Sequence, residues 1–572
     1  MLAFSTFLCY NLTMEMMMSA SELEQKIQSL EAVVTSQSTQ IAHLEALIKY
    51  YEEQFKLAQR QRFGPSSEKT PDQLRFENFF NEPEDQADPS SPEPTFEEII
   101  YTRKKHSGKR AEDLADLPIE RMDYELPEAE LICPECGGQM HDIGVTIRDE
   151  IEVIPAKVIH KQHAVHAYSC ESCEEHGDHA TIIRAEAPAP LISGSLASPS
   201  AVAHIATQKY VKGVPLYRTE KGLGYDGVIL SRQTMANWLI YCAQNYLTGI
   251  YALLISFLLK ENICHADETT VQVLHEPGRG AKNKSYEWLY RTGKYAGHAV
   301  VIYQYRETRR QEHPETFLNG FKGYLHTDGY QVYHALRPDI IVVGCWSHAR
   351  RYWEKLYESI KDASVRDGSN AERGLVYINL LFAYEYEFRD LSPEERLKKR
   401  LEYSKPVSDD FFDWVGTVRA LPKSLLGEAV HYALSQRKYL ENVYLDGRLE
   451  LSNNAAERAI KPFVQGRKQW LFSNTPNGAE SSSIYYTIIE TAKENNLNPY
   501  EYLKYLLEKL PGAKTSDMEA LLPWSASLPD YCHIPAKVLK AKPEKPMYQK
   551  KKSPLNNALQ KLRQKFQGIS TS

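Results

Sequence analysis

Apolar residues near the start of the chain recur as Leu23, Ile27, Leu30 and Val34, then Ile41, Leu44, Ile48, Tyr51 and Phe55, with Gln37 at the one polar seam position. Alternating steps of four and three predict a long helix with a narrow apolar stripe over residues 21–62. Such a stripe suits a partner helix better than a broad protein surface, so self-association is expected. The pattern stops at Arg62-Phe63-Gly64-Pro65. Residues 63–130 read as a linker, with an acidic, proline-rich stretch from Glu82 to Glu98 and a basic run from Arg103 to Arg110.

Val145 to Ile154 and Val158 to Tyr168 look like a strand pair, and they lie between Cys133-Pro-Glu-Cys136-Gly-Gly and Cys170-Glu-Ser-Cys173. A strand pair would fold the two knuckles together, and four thiolates complete a tetrahedral site for a structural Zn2+ ion. Residues 131–186 are therefore expected to form a zinc ribbon, with His141, His166, His176 and His179 near enough to replace a thiolate. Three short helical patterns then occupy residues 196–250. In the last, Met235, Trp238, Leu239 and Cys242 fall on one face and Ser231 is placed to cap the start. Arg232, Gln233 and Asn237 lie on its polar side, so the unit resembles a helix-turn-helix reader; the alternative is an ordinary solvated helix face.

From residue 260 the pattern turns to strands: Ile263 to Leu274, Tyr286 to Arg291 and His298 to Tyr305, then a helical Pro314 to Phe321, a strand at Gly323 to Thr327 and another at Asp339 to Gly344. Three strands, helix, strand, helix, strand is the ribonuclease H-like order. Residues 260–349 are read as the first part of that core. Residues 350–448 are read as a helical insertion, 449–475 as the segment that completes the core, and 476–512 as C-terminal helices. The expected fold is multidomain α/β: a mixed sheet with helices and an insertion, preceded by a coiled coil, a zinc ribbon and the helix-turn-helix-like unit.

Two acids close apolar segments of this core, Asp267 in His265-Ala-Asp-Glu-Thr-Thr and Asp328 in His326-Thr-Asp-Gly-Tyr. The first and fourth strands are neighbours in such a sheet, so both carboxylates are expected in one cleft. Glu457 follows in Leu451-Ser-Asn-Asn-Ala-Ala-Glu-Arg, where Asn453 or Asn454 can cap a helix that Pro462 interrupts. Three carboxylates are what two hard divalent cations need for phosphoryl transfer, because such ions take oxygen ligands. Without a cation, clustered carboxylates repel. Each acid alone also has an ordinary explanation as a turn or surface charge; their order on the topology makes the joint case.

Lys+Arg total 68 against 75 Asp+Glu, a formal charge of -7, so no global field draws nucleic acid and any basic surface must be local. One such place is Gly466-Arg-Lys-Gln-Trp470, where Arg467, Lys468 and Trp470 could grip phosphate and stack on a frayed base, or form a basic surface turn with the ring in the core. The tail, 533–572, is basic, with ten Lys or Arg and one Glu between Lys537 and Lys565; it is read as a flexible arm suited to counterion release on DNA. Nine cysteines, four of them in paired knuckles, suit a reduced, metal-using cytoplasmic protein. Residues 1–20 read as an untargeted extension, with Met18 an alternative start, and no membrane span is expected because no run reaches 18 apolar residues.

These residues together resemble the insertion sequence 66 family of DDE transposases. The most specific stretch is Asn453-Asn-Ala-Ala-Glu-Arg-Ala-Ile-Lys-Pro-Phe-Val-Gln-Gly-Arg-Lys-Gln-Trp-Leu-Phe-Ser473. Beside it stand Ala266-Asp-Glu-Thr269, Asp328-Gly-Tyr330, Cys345-Trp-Ser-His-Ala-Arg-Arg351, Leu216-Tyr-Arg218 and Arg62-Phe-Gly-Pro-Ser-Ser-Glu-Lys69. The resemblance implies that Asp267, Asp328 and Glu457 are the catalytic acids, holding two Mg2+ (or Mn2+) ions. It implies cleavage at transposon ends and attack of the freed 3'-hydroxyl on target DNA. A homodimer or higher oligomer would hold two transposon ends, and accessory proteins from the same element are further expected partners. Arg458 and Lys461 join the expected DNA contacts; Lys461 stands where the family usually has Arg, and Gln469 where it often has Asn. Cys345 and His348 could bind a metal, orient the scissile phosphate, or simply pack. A hydrolytic nuclease on the same fold and an inactive zinc-containing DNA-binding relic remain the alternatives.

Overall fold

The computed structural model describes residues 157–169, 182–184, 188–540 and 564–565, together with Gln28. The expected coiled coil, the linker, the four zinc-ribbon cysteines and most of the basic tail lie outside the described residues. A short antiparallel pair brackets the second knuckle in sequence: β1 (Ala167–Ser169) lies against β2 (Ile182–Arg184), with Tyr168 opposite Ile183. The first strand of the expected pair, Val145 to Ile154, lies outside the described residues, and of the second, Val158 to Tyr168, only the end is strand. Residues 157–166 carry no strand, and Val158, Ile159 and Val165 stay exposed, with nothing among the described residues for an apolar face to cover.

Three helices follow, α1 (Pro199–Tyr210), α2 (Leu216–Tyr225) and α3 (Arg232–Cys242). The Ser231 side chain accepts from the Thr234 amide, and Met235, Trp238, Leu239 and Cys242 are all buried. A π-helical turn, Ala243–Leu247, carries α3 without a break into α4 (Thr248–Lys260). The joined helix Arg232–Lys260 is long and apolar enough to cross a membrane by length and composition. Its Ile250, Leu254 and Leu258 are nonetheless buried within the protein, and the Tyr251 hydroxyl donates to the Tyr303 carbonyl at 2.9 Å.

Five strands form one mixed sheet in the order β5-β4-β3-β6-β7: β3 (Ile263–Gln272), β4 (Lys284–Thr292), β5 (Val301–Arg306), β6 (Gly323–His326) and β7 (Ile340–Val343). The first three are antiparallel neighbours, as their short connections allow, and β6 and β7 run parallel to β3. The helix before β6 is the single short α5 (Glu312–Phe317), and α6 (Gln331–His334) leads to β7.

Polar side chains from neighbouring helices reach both sheet edges and occupy some of their backbone groups. After β7 the chain is helical: α7 (Trp346–Ser359), α8 (Asn370–Glu387), α9 (Pro393–Lys399), α10 (Lys405–Thr417) and α11 (Leu425–Glu441), then α12 (Asn454–Trp470), α13 (Pro476–Glu494) and α14 (Pro499–Lys509). Along β5, the Val301 and Tyr303 amides donate to the hydroxyls of Thr491 and Thr487, one turn apart on α13. At the other edge the Asn442 amide donates to the Val342 carbonyl at 2.7 Å.

Two apolar clusters hold this together. One joins the sheet to α1, α3, α4, α13 and α14, so the trihelical unit shares the core of the sheet; Tyr210 of α1 stacks on Tyr485 of α13 at 5.1 Å. The other, around Trp346, Trp353, Phe411 and Trp414, joins α7, α8, α10 and α11 and touches the sheet through Ile263 and Val343.

Candidate functional site

The parallel register of β3 and β6 sets His265 beside His326, and their rings stack at 4.4 Å. Two residues further along stand Asp267, which alternation returns to the side of β3 carrying His265, and Asp328, in the bend just past the end of β6. Burial pushes the Asp267 carboxyl well above the usual range, and the negative charges of Glu268, Asp328 and Glu457 push it further. The Glu268 amide donates to Asp267 Oδ1 at 2.8 Å, which favours the charged form. Asp328 Oδ1 accepts from the Tyr330 amide at 3.0 Å across a tight bend. Gly329, inside that bend, has φ +97°, and a Cβ there would meet Tyr432 Oη at 3.0 Å, so both conformation and space call for glycine.

Glu457 arrives from the first turn of α12. Its Oε2 accepts from the Arg351 guanidinium, and its Oε1 lies 3.5 Å from His348 Nδ1. Arg351 Nη1 also faces His348 Nε2 at 3.1 Å. A guanidinium only donates, so Nε2 accepts and the imidazole proton sits on Nδ1, toward Glu457. Cys345, His348 and Glu457 have donor atoms within 4.8 Å of one another; among the described residues the three acids form no group that tight. The Cys345 thiol is pushed up to about 11, chiefly by burial, and its sulfur accepts from the Asn453 amide at 3.2 Å. In this arrangement Arg351 bonds Glu457 with His348 beside it, and Cys345, His348 and Glu457 stand close enough together to hold a cation.

The start of α12 departs from expectation in two ways. Asn453 is the residue before the helix, but its side chain makes no cap; it reaches into the sheet. Nor does Pro462 interrupt the helix, which runs on to Trp470. Proline removes the amide that would meet the carbonyl four residues back, at Arg458, and that residue is exposed, so water can serve the carbonyl instead.

The expected DNA contacts divide. Arg232, Gln233 and Asn237 are exposed on α3, with Gln233 donating to Asn237 at 3.0 Å. Arg458, Lys461 and Lys468 are exposed along α12. Arg467 instead turns to the sheet, donating to the hydroxyls of Thr269 and Thr270 at 3.3 and 3.0 Å. Trp470 packs edge-on to Phe463 at 5.7 Å, with Lys209 Nζ 5.8 Å from its ring centre.

Three participants went unassigned in the sequence reading. Arg351 and Asn453 are two, and their signal was helical spacing: Arg351 is three positions after His348, and Asn453 four before Glu457. The third, Glu268, lies on the opposite side of β3 from Asp267. There Arg309 Nε donates to it at 2.8 Å and the Tyr333 hydroxyl at 2.6 Å.

Comparison with known proteins covers most of this architecture. The profile described as Transposase IS66 family matches residues 194–481, and the IS66 C-terminal element matches 487–524. The zinc-finger binding domain of transposase IS66 matches 130–174, which contains all four knuckle cysteines, and Transposase C of IS166 homeodomain matches 50–122. The uncharacterized protein y4qI of Sinorhizobium fredii (strain NBRC 101917 / NGR234) is 30% identical over 431 residues, covering 71% of this chain and 76% of its own. Uncharacterized protein y4hP of the same strain is 28% identical over 443 residues, 74% of this chain and 78% of its own. With half of its length matched by one family profile and the flanking modules matched by three more, the chain belongs to the IS66 family of transposases.

Proposed function

We propose that the protein is a DDE transposase that cuts DNA at transposon ends and transfers the freed 3'-hydroxyl into target DNA, on a ribonuclease H-like core. The observation that carries this reading is the meeting of three separate elements: the β3–β6 register sets the strand of Asp267 beside the one that leads into Asp328, and Asn453, one turn before Glu457, bonds the Ala266 carbonyl next to Asp267. The strand order β5-β4-β3-β6-β7, with Asp267 on β3 and Asp328 just past the end of β6, supports the fold assignment.

The donor set fits hard divalent cations. Asp267 is a buried carboxyl destabilised by its acidic neighbours, and Glu457 Oε1 is buried without a hydrogen-bond partner. Asp267, Asp328 and Glu457 would hold Mg2+ or Mn2+, which when bound activates a nucleophile and steadies the leaving oxygen of a phosphodiester. The chain's own residues set the frame. The β3–β6 register fixes the spacing of the aspartates, the Gly329 bend aims Asp328, and Arg351 with His348 orients Glu457. Exposed Arg458, Lys461 and Lys468 extend from Glu457 along α12 as a phosphate track, and α3 offers Arg232, Gln233 and Asn237 to the transposon end. Zn2+ held by Cys133, Cys136, Cys170 and Cys173 would order the ribbon, and the helix of residues 21–62 would pair protomers so that two ends are held together.

The test supplies purified protein with pre-cleaved transposon ends, target plasmid and Mn2+. Joined product is expected from the parent chain and none from Asp328→Asn, with end binding retained by the variant. Cleavage without joining would assign a hydrolytic nuclease instead, and equal activity of parent and variant would remove Asp328 from the site.

A further inference from the structure

Asn453 is fully buried, and three of its polar groups reach two segments far away in sequence. The backbone amide donates to Cys345 Sγ at 3.2 Å, at the junction of β7 and α7. The side-chain amide Nδ2 donates to the Ala266 carbonyl at 2.8 Å, and Oδ1 lies 3.0 Å from His265 Nδ1, both on β3 directly before Asp267. Because Nδ2 is committed to a carbonyl, Oδ1 must face the imidazole, which fixes the His265 proton on Nδ1.

The connectivity is specific to the acids. Ala266 is the chain neighbour of Asp267, Cys345 begins the helix that carries His348 and Arg351, and Asn453 is one helical turn before Glu457. Segments 108 and 187 residues away in sequence thus meet at one side chain. A residue used only to cap α12 would turn its oxygen to a helix amide, and this one does not.

We infer that Asn453 is a positioning residue that sets the distance between Asp267 and Glu457, so that the acids bind divalent metal at their working separation. The inference rests on the metal-site reading above and adds to it the group that ties the acid-bearing elements together. Asn453 itself touches neither ion nor DNA; it acts through the backbone of β3 and the start of α12.

The decisive variant is Asn453→Ser in the full chain, because serine is as good a helix cap as asparagine but cannot span to His265 and Ala266. Mn2+ binding is followed by calorimetry, alongside melting temperature and metal-free binding of a transposon-end duplex. The expected result is Mn2+ affinity weaker by about tenfold, with end binding unchanged, the size of effect seen when groups behind a metal ligand are removed. Affinity equal to the parent's overturns the inference and leaves Asn453 a packing residue at the start of α12. Should Asn453→Ser not fold, the His265 pair decides. His265→Gln, whose amide can donate to the same oxygen, is expected to keep the parental affinity while His265→Ala loses it; equal affinities in the two overturn the clamp. Calorimetry needs no turnover, so if the parent binds Mn2+ without joining DNA, the strand-transfer reading falls and the role of Asn453 is still decided.

Discussion

Two clusters of charge in this molecule are built on opposite principles. In the helical region after β7, Arg400 is buried and every direction of its guanidinium is answered. Glu385 receives two hydrogen bonds at 2.8 and 2.5 Å, and the carbonyls of Val443, Asp446 and Leu449 receive the rest at 3.4, 3.3 and 2.7 Å. In the acid cleft, half-buried Asp267 lies among three other carboxylates, and no cation is ion-paired with it among the described residues. Even its chain neighbour Glu268, one position along β3, has Arg309 and Tyr333 to answer it. A balanced buried charge holds a fold together; an unbalanced one strains it and is retained where a cation completes the set. The two clusters should therefore respond to charge removal with opposite signs.

The largest expected effect is at the balanced cluster. Arg400→Met strands Glu385 and three carbonyls, and should lower stability by about 3 kcal/mol, read from the denaturant midpoint. A loss under half a kilocalorie would show that the cluster is replaceable and blunt the contrast. Asp267→Asn should do the reverse in metal-free buffer, raising the melting temperature by about 2 °C while abolishing strand joining. This gain should depend on pH. Asp267 keeps its proton to higher pH in the folded chain than in the unfolded one, so over that window the folded state binds more protons and stability falls as pH rises. The advantage of Asp267→Asn over the parent should accordingly be absent below the ordinary aspartate range, grow as pH climbs through the raised value, and vanish when Mg2+ is added. A constant difference across pH would mean that Asp267 is not strained.

The smallest effect concerns the bridge between the two situations, Glu457, which is balanced by a half-exposed Arg351. Arg351→Gln removes one positive charge from the cleft and should tighten Mn2+ binding by about threefold, since solvent screens the pair. Weaker binding instead would assign Arg351 chiefly to holding Glu457 in place.

Much of this was legible in the chain. Short apolar segments marked all five strands to within a few residues, with burial nearly continuous along them as in a sheet covered on both faces, and the i, i+3, i+4, i+7 residues of α3 are all buried as one helix face requires. Asp267 and Asp328 could be picked out because each ends an apolar run, and the strand order that makes those runs neighbours followed from the sequence of elements. Pro462 misled because the rule that proline stops a helix assumes a carbonyl with nowhere else to bond, and Arg458 is open to water.

What the chain by itself determined is the identity and order of its elements and the chemistry on offer, since both are carried by local spacing and residue type. Only the tertiary structure decided which groups answer which. Arg351 was free in sequence terms to pair with any acid, yet it holds Glu457, 106 residues away. Arg467 was as plausible on phosphate as on Thr269 and Thr270, and Asn453 became a clamp rather than a cap. A polar side chain takes the partner that folding leaves nearest when water is withdrawn, and that partner is fixed by packing far along the chain, where no local pattern reports it.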